Sequence, residues 1–368
     1  MSAAATGMST QLHLDLVVTK ILSSSSELAA DVDYSSFPDQ NQITWSWEAM
    51  TWSWYVICEL VIAILGITGN ALVIAVVFGR RSKSRSTDIL VGNLAIADFV
   101  TSILLIPHPK VNSIPHSWKG ALFCKVLEGE YLMWSTVTTS IYSLVAVSFD
   151  RFFAVVYPIH FRRFANRRLV NLTVCLIWAG SYVLMVRILL TNTTDVVVGK
   201  CVYQRPTRIL EIVYGIYVFV VQLALPTVLM LATQTAIARS LRREAARFVS
   251  SESTASFHNI ARSRVLTLTL TVVVIYVICW APDQIAFFSF NLGLISPSFV
   301  GSPLARVTTA LAICNSCVNP ILYTLRHPQF REAVKDFFKN TSKINTPIFE
   351  DLELQQRLEK SSRGTCQA

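Results

Sequence analysis

Seven long apolar stretches constrain the fold of this chain more than any other feature. They lie at about 55–79, 88–108, 122–156, 169–190, 209–238, 264–290 and 303–325. Each is long enough to cross roughly 30 Å of hydrocarbon, which takes about 20 helical residues. Backbone groups in lipid need hydrogen-bond partners within their own segment, so each stretch has to be helical. The sequence therefore predicts an all-α membrane protein with a seven-transmembrane helix bundle.

The composition supports a membrane protein. Of the 368 residues, 52% are hydrophobic and only 15% are charged, whereas a soluble domain has roughly 25% charged residues. This high hydrophobic and low charged content excludes a disordered chain and a small disulfide-rich secreted domain. The net charge of +9 is compatible with nucleic-acid binding, but the positions of the basic residues favour a membrane surface and no nucleic acid.

Most of the 32 Lys and Arg residues lie in the loops after the first, third and fifth stretches and after Arg326. By the positive-inside rule this side is cytoplasmic, and the N-terminus is extracellular. The predicted organisation is an extracellular flexible N-terminus at 1–54, the bundle at 55–325, an amphipathic membrane-surface helix at 326–340 and a disordered cytoplasmic tail at 341–368.

Ionisable residues inside a membrane are candidates for function because burying them is unfavourable. Asp98 lies in the middle of the second stretch, and the third and seventh supply Ser140, Asn315 and Asn319. One carboxylate with several neutral oxygens suits a small hard cation such as sodium. The alternative is a carboxylate held for packing by amides such as Asn70.

Three stretches contain a proline, and one ends in a charged pair. Pro226, Pro282 and Pro320 each remove a backbone N–H and kink a helix. They are either hinges or examples of the ordinary tolerance of proline in membrane helices. Asp150 and Arg151 close the third stretch, where they are either functional or a passive anchor.

One motif occurs in each stretch, and the seven together are far more specific than any one alone. They are Gly69-Asn70, Leu94-Ala95-Ile96-Ala97-Asp98, Asp150-Arg151-Phe152, Trp178, Pro226, Cys279-Trp280-Ala281-Pro282 and Asn319-Pro320-Ile321-Leu322-Tyr323. The chain resembles the rhodopsin-like (class A) G-protein-coupled receptors over about residues 55–340, and their neuropeptide-receptor type (the galanin, allatostatin and somatostatin group) in particular.

The resemblance implies a plasma-membrane, multi-pass receptor that is not an enzyme, and it implies roles for single residues. Asp98, Ser140, Asn315 and Asn319 correspond to an allosteric sodium site; no other metal or cofactor is expected. Trp280 corresponds to the residue below the ligand that couples binding to bending at Pro282. Cys124 and Cys201 correspond to a disulfide. The residues implied in activation and G-protein coupling are Asp150, Arg151, Tyr323, Pro282 and Pro226.

The chain departs from the family pattern at several positions. Tyr276 stands where the family usually has Phe, and Gln234 where the fifth helix usually carries a Tyr. No acidic residue lies between His258 and Val265 to pair with Arg151. We therefore expect the inactive state to be less firmly stabilised than usual, and the receptor to signal at a basal level without ligand. Cys124 lies 27 residues before Arg151, about two more than usual, which leaves the geometry around Glu128 and Glu130 open.

The candidate ligand is a peptide. The seventh stretch lacks the Lys that retinal requires, and Met133 stands near the place of the Asp that binds amines. Residues 196–203 predict a hairpin in the second outer loop, typical of peptide receptors in the family. Asp283 and Gln284 should face the cavity above Trp280, although Asp283 could instead pair with Arg187 or Arg306. The predicted ligand-binding residues are Asp283, Gln284, Phe287, Met133, Glu130 and Trp280.

Other partners follow from the loops. Asn192 begins an outer glycosylation sequon, Ser and Thr residues at 250–254 and 361–365 are possible arrestin-recruiting phosphorylation sites, and the inner basic residues suit anionic membrane lipid. Two other functions stay open at this point. One is a secondary transporter that uses Asp98, and the other is a constitutively active orphan receptor with a non-peptide ligand.

Overall fold

Seven long helices form the bundle that the hydropathy predicted. The computed structural model describes residues 44–79, 86–164, 166–194, 199–204, 207–247, 255–299 and 302–339. The helices are α1 (Trp54–Phe78), α2 (Ser86–Leu104), α3 (Tyr131–Val156), α4 (Arg167–Leu184), α5 (Arg208–Phe219, a π-helical turn Val220–Ala224, and Leu225–Arg247), α6 (Ala255–Asn291) and α7 (Pro303–Arg326). Shorter helices are Trp118–Phe123, Pro158–Phe164 and Arg187–Thr191, and a 3-10 turn covers Pro297–Phe299.

Several predictions concern residues outside the described ranges. They are the flexible N-terminus before residue 44, the tail after 339, and the Ser and Thr residues at 250–254 and 361–365. These stay predictions.

Lipid-facing apolar side chains explain why six of the seven helices are recognisable from length and hydropathy. In α1, Ile57, Val61 and Leu65 are all about half exposed, which is the pattern of a helix whose outer face contacts hydrocarbon. Helix α7 is less apolar because Asn315 and Asn319 occupy its buried face. A test based on the mean hydropathy of one helix at a time therefore does not recognise α7 as a membrane span.

The third stretch is not one continuous helix, which corrects the predicted span at 122–156. The helix Trp118–Phe123 continues as the π-helical turn Cys124–Glu128 and stops at Gly129. Glu130 then adopts φ 57°, and it is the only non-glycine residue with positive φ in the described part of the chain. This irregular segment accommodates the extra residues between Cys124 and Arg151, since the π-helical turn and the break at Gly129 and Glu130 take up additional chain length.

Two short ribbons cover one end of the bundle, which we call the hairpin end. Strand β1 (Ser46–Trp47) pairs antiparallel with β2 (Val111–Ser113). Strand β3 (Asn192–Thr194) pairs with β4 (Cys201–Tyr203). The predicted hairpin is thus present, but its first strand precedes Val196, and residues 195–198 lie outside the described ranges. The Cys124–Cys201 disulfide, with Cα atoms 5.3 Å apart, ties β4 to the start of the third stretch as predicted.

A short eighth helix lies at the opposite end, which we call the α8 end. Helix α8 (Pro328–Phe338) begins directly after α7 and has an amphipathic pattern. Phe330 and Ala333 are fully buried in a cluster with Val73 and Val76 of α1. Phe337 and Phe338 are exposed. The predicted helix at 326–340 is therefore present with slightly shorter bounds, and its exposed rings suit a membrane surface.

Close packing of α1 at Gly66 gives a test of the bundle. A Cβ atom at Gly66 would lie 2.1 Å from Ser102 Oγ and 2.9 Å from Ser102 Cβ. We expect Gly66→Ala to lower the thermal midpoint of the purified protein by several degrees, because overpacking typically costs about 1–3 kcal/mol. Gly180→Ala is the matched control, since nothing lies within 4 Å of its Cβ. Equal midpoints for the two variants would contradict the packing of α1 against α2.

Candidate functional site

A fully buried carboxylate connects three helices at mid-bundle. Asp98 is 0% exposed. Ser140 Oγ of α3 donates a hydrogen bond of 2.6 Å to its Oδ1, and Asn319 Nδ2 of α7 donates one of 2.8 Å to its Oδ2. A buried carboxylate is tolerated only when its oxygens have such partners. The predicted neighbours Ser140 and Asn319 are therefore brought together with Asp98.

Two other predicted neighbours occupy different places. Asn70 Nδ2 donates to the backbone oxygens of Gly66 and Ser316, each at 2.9 Å, so Asn70 does not hold the carboxylate. Pro320 has no N–H for the carbonyl four residues earlier, which is that of Ser316, and Asn70 supplies the missing donor. Asn315 is buried on α7, but the described residues show no hydrogen bond between it and Asp98.

The donor set around Asp98 fits a small hard cation. Carboxylate and hydroxyl oxygens are the ligands that such cations prefer, and Ser140 supplies a hydroxyl. Asn70 Oδ1 is buried without a hydrogen-bond partner, so a further oxygen lies in the same polar core. No cluster of three or more His, Cys, Asp or Glu side chains that could hold a metal ion occurs among the residues the structure covers.

A chain of polar side chains crosses the bundle nearer the hairpin end. Thr309 Oγ1 of α7 donates to Asp283 Oδ1 at 2.9 Å, and Gln284 Nε2 donates to Gln222 Oε1 at 3.2 Å. Gln222 Nε2 of α5 donates to Thr138 Oγ1 of α3 at 3.1 Å. Gln284 is adjacent in sequence to Asp283, so the chain spans α3, α5, α6 and α7. This places the predicted pair Asp283 and Gln284 at the centre of a candidate ligand pocket.

Sequence reasoning missed Gln222, Thr138 and Thr309. The only signal in the sequence was a polar side chain in an apolar stretch, and Thr is common in such stretches. Gln222 was the most detectable of the three because a buried amide needs partners in a bundle interior. It is 2% exposed, yet its partners come from helices that the sequence does not orient.

The two cations considered as partners of Asp283 lie on aromatic rings instead. The guanidinium carbon of Arg187 is 3.6 Å from the ring centroid of Tyr214. The guanidinium carbon of Arg306 is 4.0 Å from that of Tyr55. Both distances are typical of cation–π contacts. Among the described residues, the hydrogen bonds of Asp283 come from the neutral groups of Thr309 and Gln284.

The remaining predicted pocket residues fall into two groups. Met133 and Trp280 are buried in the bundle. Phe287 packs edge-on against Tyr214 with ring centroids 6.1 Å apart. Glu130 is exposed where α3 begins, and its carboxylate accepts a 3.0 Å hydrogen bond from Trp134 Nε1. Glu130 therefore lies outside the polar chain around Asp283.

Asn192 lies at the hairpin end, as its predicted glycosylation requires. It is the first residue of β3 and is half-buried. Its Nδ2 donates to the Ile188 carbonyl at 2.9 Å. Its glycosylation stays a prediction.

Three of the predicted activation residues, Asp150, Arg151 and Tyr323, lie at the α8 end, whereas Pro226 and Pro282 lie next to the polar chain. Thr87 Oγ1 of α2 donates to Asp150 Oδ2, and Arg151 follows on α3. Tyr323 packs against Phe330 of α8 with ring centroids 6.1 Å apart. Burial, and after it the positive charge of Arg151, lower the pKa of His327 to about 4. Burial is the larger of the two causes, and with this lowered pKa His327 is neutral at physiological pH.

Comparison with known proteins identifies the class. The family described as 7 transmembrane receptor (rhodopsin family) matches residues 69–323. The allatostatin-A receptor of Bombyx mori is 30% identical over 295 residues, which cover 74% of this chain and 76% of that receptor. The tachykinin-like peptides receptor 86C of Drosophila melanogaster is 28% identical over 300 residues, 77% of this chain and 58% of the relative. Galanin receptor type 2 of Rattus norvegicus is 28% identical over 288 residues, 74% of this chain and 73% of the relative.

The chain belongs to the rhodopsin family of seven-transmembrane receptors. The predicted class, fold and multi-pass membrane location are thereby confirmed, as is the expectation that the chain is a receptor and not an enzyme. The roles of individual residues remain predictions.

Gln234 provides a test of the structure around the activation residues. It is 2% exposed, and neither amide atom has a hydrogen-bond partner within the described ranges. We expect Gln234→Leu to raise the thermal midpoint of the purified receptor, because a buried polar group without a partner costs about 1–3 kcal/mol. Gln222→Leu is the control: it removes the same amide but breaks its side-chain hydrogen bonds with Thr138, Gln284 and Met185, and it should lower the midpoint. If both variants changed the thermal midpoint in the same direction, the distinction between an unbonded amide at Gln234 and a bonded one at Gln222 would be contradicted.

Proposed function

We propose that this receptor binds an extracellular peptide in the pocket around Asp283 and activates heterotrimeric G proteins through outward movement of α6. The observation that carries the proposal is the polar chain Thr138–Gln222–Gln284–Asp283–Thr309, which joins four helices in the pocket. The relatives quoted above are named for allatostatin-A, tachykinin-like peptides and galanin, which supports a neuropeptide ligand.

The hairpin end would be the extracellular end. The Cys124–Cys201 disulfide suits an oxidising compartment. The basic residues of the opposite end, including the exposed Arg167, Arg168 and Arg242, suit the cytoplasm and anionic lipid. In this orientation, the pocket opens to the outside and Arg151 faces the G protein.

A positively charged ligand group fits Asp283. Among the described residues, the carboxylate accepts hydrogen bonds from the neutral groups of Thr309 and Gln284, and none of them is a cation that balances its charge. A ligand amine or guanidinium would provide that balance with charge-assisted hydrogen bonds. Exposed Glu128 and Glu130 near the pocket entrance would attract such a ligand by long-range steering.

Asp98 would serve regulation and not solute transport. With Ser140 and the neighbouring amides, it would hold a sodium ion, which supplies a positive charge that stabilises the buried carboxylate. A transporter that uses Asp98 is the earlier alternative. Membership of a receptor family argues against a transporter. The nucleotide-exchange and solute-uptake measurements described next separate receptor function from transport.

The peptide prediction is tested by guanine-nucleotide exchange on purified G proteins with a library of basic peptides. With the most potent peptide found, Asp283→Asn should reduce potency by about 10- to 100-fold, because hydrogen bonds to charged groups contribute about 1.5–3 kcal/mol. Asp283→Lys should reduce it further. Thr309→Val, which removes a neutral hydrogen bond and keeps the carboxylate, should change potency less than 10-fold.

Two results would contradict this assignment. Unchanged potency in Asp283→Asn would remove Asp283 from the ligand site while leaving the receptor function intact. Uptake of a labelled solute into vesicles, without nucleotide exchange under any peptide, would instead favour the transporter.

The sodium prediction is tested by thermal stability at constant ionic strength. Replacing potassium by sodium should raise the midpoint of the wild-type receptor by a few degrees. A ligand at several times its dissociation constant stabilises the folded state by about 1 kcal/mol. Asp98→Asn should abolish the difference between the two cations. A sodium effect that persists in Asp98→Asn would place the ion elsewhere.

A further inference from the structure

Pro226 removes one backbone N–H from α5 directly after a change of helical register. The π-helical turn Val220–Ala224 ends directly before Leu225, whose N–H bonds to the Val220 oxygen five residues earlier. The next N–H in this series would belong to residue 226, but proline has none. That N–H would have served the carbonyl of Val221 in the π register, five residues earlier, or that of Gln222 in the α register, four residues earlier.

Two tyrosine hydroxyls from other helices donate to these two carbonyls. Tyr142 of α3 donates its O–H to the Val221 oxygen at 3.2 Å. Tyr276 of α6 donates its O–H to the Gln222 oxygen. Tyr276 is 0% exposed, so no water competes for this hydrogen bond. Since an unpaired carbonyl is unfavourable in a dry interior, both hydroxyls stabilise α5 where it is irregular.

The two bonds differ in what they connect. Tyr142 joins α5 to α3, and Tyr276 joins α5 to α6, the helix proposed to move outward. The stretch from His258 to Val265 contains no acid that could pair with Arg151 and restrain α6 at the α8 end. A restraint on α6 can therefore come from its bonds within the bundle.

Gln222 also connects this bond to the candidate pocket. Its side chain accepts a hydrogen bond from Gln284 and donates one to Thr138, while its backbone oxygen accepts from Tyr276. One residue therefore belongs both to the pocket wall and to the contact between α5 and α6. A ligand that displaces the Gln284–Gln222 pair would shift the carbonyl to which Tyr276 is bonded.

We propose that Tyr276 is a positioning residue whose hydroxyl bond to the Gln222 carbonyl holds α6 against α5 and limits signalling in the absence of ligand. The proposal rests on the proposed function in one respect, that α6 moves outward on activation. It assigns the restraint to the bundle core, at the position where the family usually has Phe and no hydroxyl.

The test is Tyr276→Phe, which removes one oxygen and keeps the ring. Basal guanine-nucleotide exchange, measured per folded receptor on a panel of purified G proteins, should rise roughly 3- to 10-fold, the shift expected from loss of one hydrogen bond in the closed state. Tyr142→Phe is the matched control because it removes the hydroxyl that bonds the adjacent carbonyl. It should lower thermal stability similarly and leave basal exchange within about 2-fold of wild type.

A second measurement does not depend on G proteins. Spin labels are placed at the α8 ends of α4 and α6, in a background that lacks the exposed Cys58 and Cys175. The population with the longer α4–α6 distance should grow in Tyr276→Phe and not in Tyr142→Phe. An unchanged distance distribution in Tyr276→Phe, or equal growth in both variants, would overturn the proposal. A longer distance without exchange on any G protein would support the restraint and contradict the proposed coupling.

Discussion

The architecture depends on one constraint: a backbone carbonyl in hydrocarbon needs a donor from the protein itself. Proline removes one such donor, a backbone N–H, and side chains from neighbouring helices donate in its place. Asn70 of α1 donates to Ser316, four residues before Pro320. Tyr142 and Tyr276 do the same for the carbonyls before Pro226. A missing donor within one helix thereby becomes a bond between two helices, and prolines mark where helices are joined.

The helices fall into two groups according to the polar bonds that hold them. Asp98 is bonded to Ser140 and Asn319, so α2, α3 and α7 share a charged centre. Hydrogen bonds to a charged group are stronger than those between neutral groups. Helix α6 is joined to its neighbours by neutral groups, among them Tyr276, and by the hydrogen bond from Thr309 to Asp283. The carboxylate of α6, Asp283, lies outside the centre around Asp98 and accepts hydrogen bonds from Thr309 and Gln284 among the described residues.

The sequence was sufficient for the seven helices, the disulfide and the helix after α7, because length, hydropathy and motifs are properties of single segments. It was not sufficient for the break at Glu130 or for the π-helical turn before Pro226, since both depend on how one helix packs against others. The residues around Asp98 were predicted from family motifs. Asn70 lies on the correct helix but donates to backbone carbonyls and not to Asp98, because hydrogen bonding depends on rotation about the helix axis.

The position of Gln222 explains how a pocket could act on α6 without a contact between ligand and Tyr276. The hydrogen bonds to the side chain and to the carbonyl of Gln222 both act on the same section of α5, which links the pocket to the contact with α6. In the π-helical turn, the carbonyls of Val221 and Gln222 accept hydrogen bonds from α3 and α6, so this section of α5 is linked directly to both neighbouring helices. A rearrangement within the pocket, at Gln284 or Thr138, would therefore reach the Tyr276 hydroxyl through a single residue. In such an arrangement, sensitivity to ligand and restraint of basal activity are properties of the same bond network.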